Sequence, residues 1–373
     1  MFFLIINSVP FLSLIPVNFR NLSNKTIDFS AKEIFFVGKN GQGKSNLLES
    51  LYYSAYGSSF RTRIDYEIIR NGEASFKLHT IFREEESGIS HTTSIYVDKN
   101  SKKIEKDGKN LKDRKELINT MPCVLYNHDD LDFVIGSPER RRFFLDQSLS
   151  MYDIFYIDIM RRYKRVLKNR NICLKEKKYD LLESFDIQLV QNGIEIQQKR
   201  KNAIFIFNQI FGKLYEKITG IDGLGIKYSP SWKSEFDMPD FNEAMAQVLN
   251  HREIEKFMCT TMTGPHRDKV IFVRNGQPFV PTASTGQRRL IALILRTSQA
   301  IFYTQITKRK PVILMDDVLL ELDPEKRKKV TELLPEYDQL FCTFLDGEPY
   351  QNYILGSTKI YSLNQGEWTE IGK

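Results

Sequence analysis

The octapeptide GKNGQGKS at residues 38–45 is the feature that most restricts what this chain can fold into. It satisfies the pattern GxxxxGK[ST], follows the apolar run EIFFV at residues 33–37, and precedes the helical segment KSNLLESLYY. Glycines at these positions let backbone N–H groups turn inward around phosphate oxygens, where a Cβ atom would clash. A strand, such a loop and a helix in this order predict a phosphate-binding loop in an α/β fold.

The pattern assigns roles to two residues of the loop. Lys44 would reach the β and γ phosphates of a nucleotide, Ser45 would ligate Mg²⁺, and the N-terminus of the following helix would add the positive end of its dipole. A glycine-rich turn without function is the structural alternative. The strand before the loop and the helix after it favour the phosphate site.

A second motif supplies the acidic residues that a phosphate-binding loop needs for its metal. The run PVILMDD at residues 311–317 is typical of a buried parallel strand and ends in Asp316 and Asp317. One carboxylate can hold Mg²⁺ while the other polarises water. Two acids that only cap a strand end are the structural alternative, but the presence of residues 38–45 in the same chain favours the metal site.

A third motif, STGQRR at residues 284–289, opens an apolar helix about 30 residues before the acids. By itself, Ser-x-Gly-Gln is an ordinary helix start. In order with the other two motifs it is similar to the signature loop of ABC-type ATPases, which contacts the nucleotide bound to the opposite subunit.

Hydrophobic periodicity divides the chain into three zones. Residues 1–136 and 223–373 contain short β-rich runs, whereas residues 137–222 carry long helical patterns. We therefore predict an α/β head, with the phosphate-binding loop in its N-terminal part and the signature and acidic motifs in its C-terminal part. An α-helical arm lobe, residues 137–222, would interrupt it.

The opening segment, residues 1–17, is apolar, but it has two prolines and no basic region at its start. This pattern favours two short buried strands over a targeting or membrane segment. No other run is long and apolar enough to span a bilayer, so the expectation is a cytoplasmic protein without a membrane partner.

Positive charge is concentrated in the predicted arm. Residues 139–180 carry 12 Lys and Arg against 6 Asp and Glu, whereas the whole chain has a formal net charge of +7. The basic residues cluster at 140–142, at 175–178 and, in the middle, at Arg161, Arg162, Lys164 and Arg165. These four are the candidate DNA-binding residues, with a solvated helix face as the alternative. Three tyrosines interleave with the bases, and helical spacing favours core packing for two of Tyr152, Tyr156 and Tyr163.

The motifs in combination resemble a known family. About 270 residues separate Lys44 from Asp316, with a helical insertion between them, which is the plan of the SMC-like DNA-repair ATPases. Within that group the chain is similar to the RecF family over nearly its whole length. The resemblance rests on NFRN (18–21), GSPERRRFFLD (136–146), TGPHRD (263–268) and DDVLLELD (316–323).

The resemblance implies an ABC-type, SMC-like P-loop ATPase head with an inserted α-helical arm lobe. It also implies ATP and Mg²⁺ as cofactors, dimerisation on ATP, and slow, DNA-stimulated hydrolysis. The expected role lies in recombinational repair and replication-fork maintenance, on DNA at single-strand gaps and on duplex. At the gaps the protein would help RecO and RecR to load RecA. A nucleotide-gated DNA-binding scaffold with negligible turnover is the alternative, whereas the late position of Ser284 disfavours a transporter subunit.

The resemblance further implies roles for individual residues. Ser45 and Asp316 would hold the metal, and Asp317 would be the catalytic base alongside Lys44. Thr343 aligns with the switch position after the last central strand, although a buried strand threonine is an equal alternative. The expected nucleotide-binding residues are Gly38, Asn40, Gly41, Gly43, Lys44, Ser45, Asn46, Arg61 and, acting in trans, Ser284, Gly286 and Gln287.

The chain departs from the family pattern at Leu320, at Lys39 and at the pair His128-Asp129, which replaces the usual Pro-Glu in the loop before Leu131. Leu320 stands where the D-loop usually has serine, which removes a polar contact across the dimer and would affect hydrolysis or its coupling to dimerisation. Leu320 and an aspartate rather than a glutamate at Asp317 would both slow hydrolysis, as the scaffold alternative expects. Lys39 replaces a common glutamate, but its side chain is not part of the phosphate-binding motif. For Arg61, an exposed loop arginine is the alternative to a nucleotide contact.

Overall fold

The computed structural model describes residues 10–84, 88–118, 120–235, 237–318, 325, 328–329 and 332–371. Contacts divide the chain into two compact units. The first, here called the head unit, consists of Met1–His128 and Tyr303–Lys373. The second, here called the arm unit, is Asp129–Phe302.

Fifteen strands and nine α-helices are formed within the described residues. In the first part of the chain these are β1 (Phe11–Val17), β2 (Ile27–Asp28), β3 (Glu33–Val37), α1 (Lys44–Tyr56), β4 (Ser75–Arg83), β5 (Ser90–Asp98), β6 (Lys102–Lys106), β7 (Lys109–Asn110), α2 (Lys115–Ile118) and β8 (Cys123–Tyr126). They are followed by α3 (Leu131–Ile135), α4 (Pro138–Ser150), α5 (Ile154–Lys175), α6 (Leu182–Thr219), β9 (Leu224–Ser229), α7 (Phe241–Asn250), α8 (Arg252–Met258), β10 (Lys269–Arg274), β11 (Gln277–Pro278) and α9 (Thr285–Thr307). The last four are β12 (Val312–Met315), β13 (Gln339–Phe344), β14 (Lys359–Asn364) and β15 (Glu367–Ile371).

One sheet of the head unit positions the site. Its strand order is β15-β14-β3-β13-β12-β8, and every pair except β14–β15 is parallel. All residues of β3, β8, β12 and β13 are buried, which explains their continuous apolar runs. Since parallel strands end at the same edge of a sheet, the residues after β3 and after β12 are brought together.

The second sheet of the head unit is antiparallel, in the order β2-β1-β4-β5-β6-β7. Burial alternates along β4 and β5, so one face of this sheet packs into the interior. The two sheets and α1 share one hydrophobic core, in which the rings of Phe11, Phe29 and Phe36 pack around Phe341. A helix enclosed on most sides explains why α1 lacks a clean amphipathic pattern.

The arm unit is built around the packed helices α5 and α6. The strands β9, β10 and β11 form a three-stranded antiparallel sheet that packs on α6, with Phe211 against Phe272 and the Asn208 side chain bonded to the backbone of Ile226. Arg200 pairs with both Asp146 and Asp268 in the interior. The TGPHRD motif therefore supplies a buried acid that ties α4, α6 and this sheet together.

The arm unit is larger than the arm lobe predicted at residues 137–222. It begins at Asp129 and extends to Phe302, because the strands after residue 222 pack on α6. Asn275 and Gly276 form a tight hairpin between β10 and β11, and both residues have positive φ, 49° and 80°. Of the two strands predicted in residues 1–17, the second is β1, and residues 1–9 lie outside the described residues.

None of the helices in the described part of the chain is both long and apolar enough to span a bilayer.

Candidate functional site

The loop between β3 and α1 has the backbone that its glycines predict. Gly41 and Gly43 adopt φ of 76° and 109°, where residues with a side chain are strained. Gly38 is needed for a different reason, because a Cβ atom there would lie 2.6 Å from the backbone oxygen of Leu363. Gly43 is also the N-cap of α1, so the loop passes directly into the helix N-terminus.

Lys44 is buried against this loop. Its side chain is 4% exposed, and Nζ donates hydrogen bonds to the carbonyl oxygens of Gly38 at 2.8 Å and Lys39 at 3.1 Å. The Lys44 side chain therefore folds back over the loop, and its ammonium group contacts the first residues of that loop. A buried cation at a helix N-terminus provides a strong local positive potential, which suits phosphate oxygens.

The structure brings the loop and the acidic pair together, although about 270 residues separate them. Ser45 Oγ donates a hydrogen bond of 2.8 Å to Asp316 Oδ1, directly after the end of β12. The backbone N–H of Asp316 donates to the carbonyl of Tyr126, which anchors the acid to the neighbouring strand β8. A hydroxyl and a carboxylate at this separation are the hard oxygen donors that Mg²⁺ prefers.

The acid environment fits a bound cation. Burial raises the pKa of the Asp316 carboxyl to about 6, and the negative charge of Asp317 adds to the rise. Hydrogen bonds from Ser45 and Thr343 and the positive charge of Arg61 lower the pKa in part. A divalent cation would remove the cost of the buried negative charge, so the residues present match the predicted metal.

Thr343 lies in β13, beside the acidic pair. Its Oγ1 donates to Asp317 Oδ1 at 2.7 Å and accepts the backbone N–H of Asp317 at 2.8 Å. Asp317 has φ of 52°, a left-handed conformation that this pair of bonds fixes. The threonine is thus both a buried strand residue and a direct contact of the proposed base.

Arg61 reaches the same region from the loop after α1. Its Nη1 donates to Asn46 Oδ1 at 2.7 Å and lies 3.3 Å from Glu49 Oε2. Since Asn46 follows Ser45, the guanidinium lies beside the junction of the loop and α1. Its positive charge is one of the factors that lower the pKa of Asp316.

Asn40 lies in the same loop, with its side chain exposed. Its backbone oxygen accepts a hydrogen bond of 3.5 Å from Gln42 Nε2.

Sequence reasoning missed three residues around Arg61. Glu49 is fully buried on α1, Arg20 forms a bidentate pair with it, and Asn21 accepts from Asn46 Nδ2 at 2.7 Å. The sequence did contain a signal for Glu49, because it is a charged residue among the leucines of α1. Because α1 is buried on most sides, periodicity could not tell which neighbours it would meet.

The signature residues lie in the arm unit and begin α9. Gln287 Oε1 accepts the backbone N–H of Ser284 at 2.8 Å, and Ser284 Oγ accepts the backbone N–H of Gln287 at 3.2 Å. This reciprocal arrangement is a capping box, so the helix-start interpretation of the motif is correct. Ser284 and Gly286 are exposed, which also leaves them accessible to a second subunit.

The basic cluster on α5 is a surface feature. Arg161, Arg162, Lys164 and Arg165 are all exposed. Tyr156 and Tyr163 on the same helix are buried, which confirms core packing for two of the three tyrosines.

The arginines at 140–142 contribute less to this surface than the charge count suggests. Arg141 donates to the carbonyls of Val270 and Gly136, and Arg142 donates to that of Asp268. Both guanidiniums therefore link elements within the arm unit.

Comparison with known proteins agrees with this geometry. Residues 12–367 match the RecF/RecN/SMC N terminal domain family. The DNA replication and repair protein RecF of Treponema pallidum (strain Nichols) is 47% identical over 352 residues, covering 94% of this chain and 98% of the relative. A solved structure of the recombination mediator protein RecF-ATP in the RecFOR pathway has a TM-score of 0.90 at 26% identity, covering 100% of both chains. An SmcHead bound to the C-winged helix domain of ScpA has a TM-score of 0.56 at 15% identity, covering 97% of both chains, and indicates the fold alone.

The fold and the site define an ABC-type, SMC-like P-loop ATPase head that carries a helical arm, as the sequence predicted. The chain belongs to the RecF family of DNA replication and repair proteins.

Proposed function

We propose that this protein binds DNA in an ATP-dependent manner during recombinational repair and replication-fork maintenance, dimerising on ATP and hydrolysing it slowly. The observation that carries the proposal is the hydrogen bond of 2.8 Å between Ser45 and Asp316, because it joins the phosphate-binding loop to the acidic pair. A relative of known structure is a recombination mediator protein of the RecFOR pathway. RecO and RecR are therefore the proposed partners in loading RecA at single-strand gaps.

The residues of the site suit a slow phosphoryl-transfer reaction. Bound Mg²⁺ and ATP would supply a polarised phosphoanhydride bond. Ser45 and Asp316 would provide the oxygen ligands, and Lys44 would neutralise phosphate charge from within the loop. Asp317 would orient and deprotonate the attacking water, with its carboxylate held by the hydrogen bond from Thr343.

A nucleotide-gated scaffold with negligible turnover is the second candidate. The observation in its favour is that Asp317 Oδ1 already accepts a hydrogen bond of 2.7 Å from Thr343, so one oxygen of the proposed base is occupied before water binds. The other sequence argument, Leu320 in the D-loop, lies outside the described residues. Single-turnover ATP hydrolysis with and without DNA separates the candidates, since only an ATPase shows a DNA-stimulated chemical step.

Ser284→Arg should preserve ATP binding by the monomer and block ATP-induced dimerisation. The reason is that residues 284–287 are proposed to complete the nucleotide site of the other subunit, where a long cation would clash. The measurement is molecular size with ATP, with ADP and without nucleotide, each with and without DNA.

Ser284→Ala is the matched control, because both substitutions remove the hydroxyl that caps α9. Loss of that cap costs about 1 kcal/mol of stability in either variant, so equal thermal shifts are expected. Alanine adds neither bulk nor charge, and its dimerisation should be weakened less. ATP-dependent dimers that survive Ser284→Arg would contradict the in-trans role.

Replacing Arg161, Arg162, Lys164 and Arg165 by alanine should reduce the salt dependence of DNA binding. Each phosphate contact on duplex DNA contributes a slope of about −0.9 in log affinity against log salt, so the slope should flatten by up to about four units. Binding should be largely independent of sequence, and ATP affinity should be unchanged because the phosphate-binding loop belongs to the other unit.

Fluorescence anisotropy titrations at several salt concentrations measure this slope. The competing location for DNA is a groove formed over the heads when two subunits close on ATP. An unaltered slope in the quadruple variant would move the DNA contact from α5 to that groove.

A further inference from the structure

Glu49 is an acid in a part of α1 that is otherwise packed with leucines. Its side chain is 0% exposed, and each carboxylate oxygen receives two hydrogen bonds or close donors. Arg20 approaches both oxygens, from Nη2 to Oε1 at 2.8 Å and from Nε to Oε2 at 3.0 Å. Ser59 Oγ donates to Oε1 at 2.6 Å, and Arg61 Nη1 lies 3.3 Å from Oε2.

Apolar packing does not account for an acid at this position. Leu47, Leu48 and Leu51, which are close to Glu49 in the sequence, are all fully buried, and apolar residues often replace buried ion pairs without loss of stability. A buried carboxylate is costly unless its partners are fixed. The arrangement around Glu49 therefore calls for an explanation other than packing.

The network leads from Glu49 to the phosphate end of the loop. Arg20 and Ser59 fix the plane of the carboxylate, which leaves Oε2 directed at the Arg61 guanidinium. Arg61 Nη1 bridges to Asn46, the residue after Ser45. The same guanidinium is 44% exposed, and in the described part of the chain its side-chain hydrogen bonds involve Nη1 alone. Its other N–H groups are thus placed to donate to an anion beside the loop.

We propose that Glu49 is a positioning residue that holds Arg61 beside the γ-phosphate, so that the site discriminates a nucleoside triphosphate from a diphosphate. The inference rests on the proposed ATP site at residues 38–45. Glu49 touches no nucleotide in this scheme. Its carboxylate restricts the rotamers of Arg61 before ATP binds, which lowers the entropic cost of the contact.

The test is the ratio of ADP to ATP dissociation constants, measured by calorimetry with Mg²⁺. Glu49→Gln keeps the shape of the side chain and removes its charge, and should weaken ATP binding about tenfold, the effect of losing one well-placed charge-assisted hydrogen bond. ADP affinity should change less than about twofold, since ADP lacks the γ-phosphate that Arg61 contacts. Arg61→Ala should reduce the ratio in the same way, and the double variant should be no worse than Arg61→Ala alone.

Glu33→Gln is the matched control. Glu33 is also buried in the head unit, at 2% exposed, but its carboxylate accepts from Tyr337 and Ser357 at the opposite end of β3 from the loop. This variant should show the stability loss of a removed buried charge and a normal ADP to ATP ratio. If Glu49→Gln behaves like Glu33→Gln, with lower thermal stability and an unchanged ratio, Glu49 is only structural and the proposal is overturned.

Two further measurements keep the result decisive. If Glu49→Gln does not fold, the charge-balanced variant Arg20→Met with Glu49→Met removes both charges of the ion pair together, and the ratio should fall as in Arg61→Ala. An unchanged ratio in that variant also overturns the proposal. Failure of the ATP site itself is distinguishable, because the parental protein would then bind ATP no better than Lys44→Ala does.

Discussion

ATP binding should fall well beyond tenfold in Lys44→Met, a loss of about 1.4 kcal/mol or more. Lys44 is buried at the helix N-terminus and donates to the carbonyl oxygens of Gly38 and Lys39. Methionine keeps the apolar stem and removes only the ammonium group, so the loop retains its packing. Because phosphate oxygens would lose a buried cationic donor, binding of both ATP and ADP should weaken.

Lys39→Met is the matched control for that experiment. Lys39 lies in the same loop as Lys44, but its side chain is exposed and only its backbone oxygen contacts Lys44. Solvent screens the interaction of an exposed charge with the phosphates, so removing that charge should change ATP affinity by well under tenfold. Calorimetry with excess Mg²⁺ measures both variants. Equal ATP affinities in Lys44→Met and the parental protein would reject the phosphate-binding role of the loop.

Sequence patterns predicted the central part of the head most accurately. The runs at residues 33–37 and 311–317 contain β3 and β12, because fully buried parallel strands are continuous apolar runs with polar ends. The glycines of the loop report backbone geometry directly, so its conformation could also be predicted. The meeting of Ser45 and Asp316 followed from parallel strand topology, which places both residues at one edge.

Features that depend on long-range packing could not be predicted from the sequence. The extent of the arm unit follows from the packing of β9 on α6, which no local pattern encodes. Arg141 and Arg142 count as surface charge in the sequence, but they donate to backbone carbonyls within the arm unit. The two-arginine environment of Glu49 combines segments that are 29 and 12 residues away, so only the folded chain shows it.

The pH dependence of folding stability should distinguish Asp316 from an acid that only caps the end of a strand. Burial raises the pKa of Asp316 to about 6, above the value near 3.9 of an unfolded chain, so the ionised carboxylate disfavours the folded state. The contribution of this group to stability is therefore lost as pH rises through about 6. Without Mg²⁺ and ATP, Asp316→Asn should be at least as stable as the parental protein at pH 8, and should lack this step.

Nucleotide binding gives the larger effect and separates the acids from each other. Asp316→Asn should weaken Mg²⁺-dependent ATP binding, because an amide is a poorer ligand for a hard cation. In the parental protein the metal competes with a proton at Asp316, so one pH unit below the pKa the Mg²⁺-dependent affinity should fall about tenfold. The Asp316→Asn variant should not show this decrease in Mg²⁺-dependent affinity. Calorimetry at pH 5 and pH 8 on both proteins measures the difference.

Asp317→Asn should leave ATP binding intact and abolish turnover, trapping a long-lived ATP dimer. Asparagine accepts the positive φ of 52° at this position and can still accept the hydrogen bond from Thr343, so the fold is preserved. It cannot take a proton from water, which removes the base. Single-turnover hydrolysis and molecular sizing on the same samples test both parts. If Asp316→Asn and Asp317→Asn both hydrolyse ATP at the parental rate, the metal and base sites lie elsewhere in the chain.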